Sequence, residues 1–192
     1  MSVIAQAAWL SLSVVLGGLT HIAFIKKNLL PGLATRRLDG GLTLRGRPIF
    51  GANKTLRGAL VMTAATALWT VIIDSIQRIG GLDDGLRYVS TDQIGSLALG
   101  ALLGGAYILG ELPNSFLKRQ LDISPGFPAK GPMKPVFWTL DQLDSALAVL
   151  LALSLLRVPS LVFAVVLLAI TMLLHPTIAA LMVMLGLKDR VG

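Results

Sequence analysis

The sequence predicts an all-α polytopic membrane protein with five transmembrane helices and two long cytoplasmic loops, and three observations carry that prediction. The 192 residues are 54% hydrophobic and only 14% charged, far more apolar than a soluble domain of this length needs. The apolar residues fall into runs of roughly 18 to 25, long enough to cross a hydrocarbon core of ~30 Å at about 1.5 Å per residue. The charges gather between these runs, and lipid leaves a crossing backbone little choice but helix.

The spans expected from the runs are Val3–Ile25, Gly58–Ile79, Gln93–Leu112, Leu140–Leu156 and Pro159–Leu187. The first is preceded by no basic residue and contains no small-residue cleavage site, so it reads as a retained anchor. The last is long and carries His175-Pro176, where a kink or break is expected because proline removes a backbone hydrogen bond. No repeat or low-complexity tract divides the chain, so residues 1–192 are read as one membrane-embedded domain. The absence of cysteine removes disulfides, thiolate nucleophiles and Cys-ligated metals, and leaves oxygen chemistry.

The net charge of +7 is unevenly spread. Lys26, Lys27, Arg36, Arg37, Arg45, Arg47, Lys54 and Arg57 lie between the first two spans. Lys118, Arg119, Lys130 and Lys134 lie between the third and fourth, and Lys188 and Arg190 in the tail. Only Arg78, Arg87 and Arg157 remain for the opposite face. Because cytoplasmic loops are basic, the N-terminus is expected outside and the C-terminus and both long loops in the cytoplasm. Headgroup anchoring accounts for the tail and for Lys26-Lys27. The two loops are Gly/Pro-rich and long for connectors, which suits binding loops.

Three carboxylates fall on this basic face: Glu111 at the end of the third span, and Asp141 and Asp144 at the start of the fourth. Asp74, Asp83, Asp84 and Asp92 fall toward the other face. Residues 141 and 144 share one side of a helix. They could favour the helix N-terminus and pair with Lys130 or Lys134. Alternatively, with Glu111, they could hold Mg²⁺ against a substrate phosphate. Carboxylates beside many Lys and Arg recur where phosphoryl or nucleotidyl groups are transferred. His21 and His175 are the only histidines and read mainly as packing or interfacial residues.

The first loop contains GRPIFGANKTLRG, Gly46 to Gly58. It is not a P-loop, since Ala52 and Asn53 separate Gly51 from Lys54. Its glycines and the donors of Asn53, Lys54, Thr55 and Arg57 at a helix start still suit an anion. The alternative is a loop that anchors the second span at the interface.

The segment GELPNSFLKRQLDISPGFPAKGPMKPVFWTLDQLDS, Gly110 to Ser145, resembles the CTP-dependent cytidylyltransferases that activate lipid phosphates. Ser115 to Arg119 is similar to their S-x-x-K-R element, and Asp141 to Ser145 to their D-[RQ]-x-D-S ending. Pro125-Gly126-Phe127-Pro128 in place of His-Gly-Gly resembles the archaeal branch, the CDP-archaeol synthases. So do GANKTLRG, His175-Pro176 and the ending Gly186-Leu187-Lys188. Where the family pattern has aspartate in a GDL-like turn, this chain has Glu111, which keeps a carboxylate on a longer arm.

The resemblance implies transfer of CMP from CTP to 2,3-di-O-geranylgeranylglycerol 1-phosphate, releasing pyrophosphate. It implies Mg²⁺ on Asp141, Asp144 and Glu111, a phosphate clamp of Lys54, Arg57, Lys118 and Arg119, and orienting donors Asn53, Thr55, Asn114 and Ser115, with Lys130 beside them. The expected partners are CTP, the prenyl ether-lipid phosphate and surrounding membrane lipids, with no nucleic acid. A CDP-alcohol phosphotransferase would need D-G-x-x-A-R and D-x-x-x-D, and Asp39-Gly40 has neither continuation. A small transporter using Asp74, Asp141 and Asp144 is the alternative of a different class. It predicts acids at mid-membrane and matching broken spans.

Overall fold

The computed structural model describes residues 2–186. The chain runs through α1 (Val3–Lys26), a short α2 (Pro31–Ala34), a two-stranded hairpin of β1 (Thr43–Leu44) and β2 (Arg47–Pro48), and α3 (Leu56–Ile79). After a 3-10 turn at Asp84–Leu86 come α4 (Thr91–Ile94), α5 (Ser96–Gln120), α6 (Met133–Ser154) and α7 (Leu161–Met184). The five long helices are each apolar and long enough to span a bilayer, and the protein is an all-α, multi-pass membrane protein.

Several helices start at side-chain caps. Ser2, Thr55 and Ser160 each accept a hydrogen bond from the backbone N–H three residues on, at 3.2, 3.3 and 3.2 Å, which satisfies donors a first turn leaves open. Thr55, expected to orient substrate, spends its hydroxyl on the Gly58 amide.

Three boundaries differ from the sequence reading, and two of them move the site. The third span was expected to stop at Leu112, but α5 continues through Pro113 to Gln120. Proline deprives the helix of one N–H donor without forcing an end when neighbouring helices hold the flanking turns. Asn114, Ser115, Lys118 and Arg119 therefore project from a helix rather than a loop. The fourth span was expected to begin at Leu140, whereas α6 begins at Met133. Asp141 and Asp144 then lie two to three turns inside the helix, which removes the N-terminal capping role weighed for Asp141. Of the kink or break expected at His175-Pro176, no break occurs: α7 runs through Pro176 to Met184. Leu187, Lys188 and Arg190, used in the span, ending and tail readings, lie outside the described residues.

The long helices close a ring: α3 packs on α1 and α5, α6 on α5 and α7, and α7 returns to α1. Close approach depends on small residues, as it does where lipid offers no hydrophobic drive between helices. A Cβ on Gly100 would stand 2.6 Å from Ala67 Cα, and one on Gly104 would stand 2.8 Å from Thr63 Cα. A Cβ on Gly110 would meet the Asp144 carbonyl oxygen at 2.7 Å and Ser145 Cα at 2.9 Å. Gly100 and Gly104 thus seat α5 on α3, and Gly110 seats it on α6 beside the aspartates. Only Phe163 and Leu167 of α7 are buried, so this helix is pinned near its start. Its later turns line a groove or face outward.

The end of the ring opposite the long loops is closed by charge pairs. Asp74 accepts from Arg78 Nε at 3.0 Å, Ser96 Oγ at 2.6 Å and Thr91 Oγ1 at 3.0 Å, and pairs with Arg87 at 2.8 Å. Arg78 also reaches Asp92 at 2.7 Å, and this guanidinium holds the Asp92 carboxyl below its ordinary range. Tyr88 stacks on Phe163 with centroids 3.8 Å apart, and burial raises its phenol pKa. Asp74, one of the acids of the transporter reading, is engaged in holding this loop against the helix ends.

Candidate active site

At the loop-bearing end, α5 and α6 present their polar faces to each other across the Gly110 contact. Asn114 on α5 bridges the two acids of α6, its Nδ2 donating to Asp141 Oδ1 at 2.7 Å and to Asp144 Oδ2 at 2.9 Å. Lys118, one turn further along α5, donates to the Asp141 carboxylate at 2.5 Å and lies 5.8 Å from the Phe137 ring centre. Asp144 takes the Ser145 amide at 2.6 Å through its other oxygen. Lys54, from the first loop, is ion-paired with Glu111.

Lys54, Glu111, Asn114, Lys118, Asp141 and Asp144 line one cleft of about 220 Å³, together with Asn53, Ser115, Arg119, Gln142 and His175. Expected site residues Asn53, Lys54, Glu111, Asn114, Ser115, Lys118, Arg119, Asp141 and Asp144 are thus brought together. Three are not. Arg57 points back along the first loop toward the Leu29 carbonyl, at 3.4 Å. Thr55 caps α3. Lys130 lines a separate hollow with Leu121, Asp122 and Met133 on the second loop. Thr55 and Arg57 were placed from the loop residues and the resemblance, and Lys130 from the resemblance alone; neither says toward which cavity a loop side chain turns.

The charges of the cleft balance, with Lys54, Lys118 and Arg119 against Glu111, Asp141 and Asp144. Their pairing does not. Both lysines hold a carboxylate, whereas Arg119, only 6% exposed, has Nε and Nη1 buried without a hydrogen-bond partner among the described residues. A buried guanidinium with open donors costs stability unless a ligand anion completes it. Its forked donors suit phosphate oxygens. The Oδ1 of Asn114 is likewise buried and unpartnered, directly beside the two aspartates.

Among the described residues no three acidic or histidine side chains form a ready-made metal cage, so the expected three-carboxylate cluster is not preformed. Glu111 lines the same cleft but is ion-paired with Lys54 rather than held by Asn114. The remaining donors, two carboxylates and an open amide oxygen, are all hard oxygens. They fit Mg²⁺, which is usually held by one or two carboxylates with substrate phosphates completing its shell.

A second cavity of about 230 Å³ adjoins the cleft. Its walls are largely apolar side chains of α1, α5, α6 and α7, from Leu10 and Leu167 at one end to Ile25 and Met182 at the other. It therefore follows about 20 Å of helix. Glu111 and His175 border both cavities, and His21 stands on the apolar side of the boundary.

Sequence reasoning missed Asp39. It was weighed only as part of a rival motif, yet its carboxylate is 6% exposed and accepts the backbone amides of Gly41 at 2.9 Å, Phe50 at 2.9 Å and Gly51 at 3.2 Å. The local signal was Asp39-Gly40-Gly41, a run in which aspartate folds the backbone onto its own side chain. Gln142 was passed over between the two aspartates, although it is buried and lines the cleft.

Comparisons with known proteins bear on the family of the chain. A family model described as CarS-like, CDP-archaeol synthase, matches residues 19–191. CDP-archaeol synthases are similar over much of the chain. The one from Halobacterium salinarum is 34% identical over 132 residues, 65% of this chain and 62% of the relative. The one from Thermofilum pendens is 34% identical over 156 residues, 79% and 64%. The matched stretches thus span less than two thirds of those curated relatives. A solved structure, described as giving structural insight into an intramembrane enzyme for archaeal membrane lipids biosynthesis, superposes with a TM-score of 0.61. It is 27% identical, covering 90% of this chain and 91% of its own. A polar cleft carried on α5 and α6, an apolar groove beside it and a family match across nearly the whole chain lead to one assignment: this protein belongs to the CarS-like CDP-archaeol synthase family.

Proposed function

We propose that this protein transfers a cytidylyl group from CTP to a prenyl ether-lipid phosphate, 2,3-di-O-geranylgeranylglycerol 1-phosphate, and releases pyrophosphate. The observation that carries the reading is the open, buried Arg119 guanidinium in a polar cleft that shares Glu111 and His175 with an apolar groove. One cavity suits a triphosphate from water, and the other suits hydrocarbon chains from the bilayer.

A lipid phosphomonoester has a second pKa near ~6 and is largely dianionic at neutral pH. Its oxygen can attack the α-phosphorus of CTP in line without a general base, forming the new P–O bond as the bond to the β-phosphate breaks. The chain's task is then to bind, orient and neutralise. Arg119 would grip phosphate through its forked donors, while Asn53 and Ser115 orient the nucleotide. Asn114 holds Asp141 and Asp144 in register across α5 and α6. Mg²⁺, held by Asp141 and Asp144 with Glu111 nearby, would neutralise charge on the reacting phosphates. Lys54 and Lys118 hold the carboxylates when substrate is absent and stand within the same cleft to meet phosphate oxygens. Arg57, Thr55 and Lys130 do not line the cleft and are left out of this clamp.

The loops bearing the cleft are the basic ones. We place them in the cytoplasm, where CTP is available, with the N-terminus outside. The test is the purified protein with labelled CTP and either the ether-lipid phosphate or its diacyl ester analogue, with pyrophosphate release followed. Turnover with the ether lipid is expected, to be lost with EDTA and restored by excess Mg²⁺. No turnover with either lipid by folded protein overturns the proposal. Turnover unaffected by chelation overturns the metal assignment alone.

A further inference from the structure

The first loop crosses residues 27–55 without a long element, yet the turn that reaches the cleft is held from several directions. Arg36, Leu38, Lys54 and Leu56 join its two ends in a short antiparallel ladder, with Leu38 N–H donating to the Lys54 carbonyl and Leu56 N–H to the Arg36 carbonyl, both at 2.8 Å. The hairpin tip docks on the end of α5, where Arg47 pairs with Asp122 at 2.5 Å and bonds the Gln120 carbonyl. Between ladder and hairpin stands Asp39. One of its oxygens closes the turn at Gly41, and the other takes the amides of Phe50 and Gly51.

Gly51 transmits this hold to the cleft in two ways. Its carbonyl accepts the Lys54 amide at 3.2 Å, closing the turn that presents Asn53 and Lys54. It also adopts a φ of +98°, and a Cβ there would lie 3.3 Å from Arg119 Cδ and Nη1 and 2.9 Å from Pro125 Cγ. The glycine backbone is therefore a wall against which the open guanidinium rests.

We infer that Asp39 is a positioning residue for nucleotide binding, acting through Gly51 to hold Asn53, Lys54 and Arg119 in the geometry that receives the triphosphate. It lines neither cavity and touches no reacting atom. The inference rests on the proposed cytidylyl transfer and adds a residue outside the family elements GANKTLRG and Gly110–Ser145. A residue that served stability alone would scale turnover with the amount of folded protein. A positioning residue changes the concentration of nucleotide needed and leaves the rate at saturation.

The experiment compares wild-type protein and Asp39→Asn, both full-length in the same detergent, at neutral pH. Asparagine keeps one acceptor oxygen and loses the other, so either the Gly41 turn or the Phe50-Gly51 tether is released. The CTP KM is expected to rise about tenfold, with kcat within about threefold, as the loss of one or two hydrogen bonds to a charged acceptor allows. Trypsin supplies a readout independent of turnover. CTP is expected to protect the first loop at Arg36, Arg37 and Arg45 in wild type, and to do so in Asp39→Asn only at higher concentration. An unchanged KM, including the case in which only turnover falls in step with folded yield, overturns the inference while leaving the cytidylyl reading intact. Wild-type protein that neither turns over nor gains protection from CTP overturns both. If Asp39→Asn does not fold, Gly51→Ala decides: the same KM-selective rise supports the inference, and an unchanged KM overturns it.

Discussion

Asp141 and Asp144 lie three residues apart on α6, yet their surroundings differ. Asp141 is held by Lys118, whereas Asp144 is held by neutral donors from Asn114 and Ser145. Of the two, Asp144 is the carboxylate with charge left to offer a cation. Asp144→Asn is expected to lower CTP-dependent turnover by at least ~100-fold while the protein elutes as a folded species in detergent. Near-normal turnover would remove this residue from the proposed metal site. Arg119 makes the opposite kind of prediction. Its Nε and Nη1 are buried without hydrogen-bond partners among the described residues, and replacing an incompletely satisfied buried charge by an apolar residue of similar volume tends to stabilise. Arg119→Met should therefore hold or raise the thermal midpoint while weakening CTP binding by about 10- to 100-fold. A fall in both would mean that the residue is structural. The residue types at these positions were legible in the sequence, as was their sharing of one membrane face. Which cation pairs with which acid was not, because pairing depends on side chains more than 20 positions apart meeting across a helix interface.

The elements decide how closely those side chains meet. Gly110 allows α5 and α6 to touch at the Asp144 carbonyl, and no side chain could occupy that position without moving one helix. Gly110→Leu is expected to cost about 1–3 kcal/mol by forced separation and to reduce turnover beyond the loss of folded protein, measured as thermal midpoint and as rate per folded molecule. Equal losses would mean that the contact matters for stability alone. Both helices were legible from their apolar runs, but their site-proximal ends were not. Pro113 reads as a stop, and Lys118 and Arg119 read as loop, when only the apolar stretch is counted. In the folded protein these polar turns stay helical because they line a cleft between helices, where their backbone bonds are kept and their side chains find partners. The same reasoning explains why α6 starts seven residues before its hydrophobic stretch.

For the whole molecule, the ring of helices separates two ends with different tasks. One is closed by Asp74, Arg78, Arg87 and Asp92. The other is left open and roofed by loops that Asp39 and Arg47 hold down. Burial alone would raise the Asp39 carboxyl, but the amides of Phe50, Gly41 and Gly51 and the nearby Arg37 outweigh it, leaving the pKa below the ordinary 3.8. Because folding depresses this pKa, the stabilisation is full above 3.8 and disappears as pH falls through the lower folded value. Wild type should therefore melt above Asp39→Asn by a constant margin from neutral pH to about pH 5, and the margin should close in stronger acid. A gap independent of pH throughout would exclude the carboxylate charge as its source. By itself the sequence determined the five spans, the asymmetry of charge, and the residue types of the polar cleft proposed to take phosphate and a cation, because hydropathy, charge and short motifs are local properties that burial in lipid makes costly to violate. Only the tertiary structure decided that Arg57, Thr55 and Lys130 stay out of the cleft lining and that Asp39 binds the amides of Gly41, Phe50 and Gly51. It alone also leaves Arg119 open beside an apolar groove. Each of these depends on which distant segments share a cavity, and that is set by helix packing.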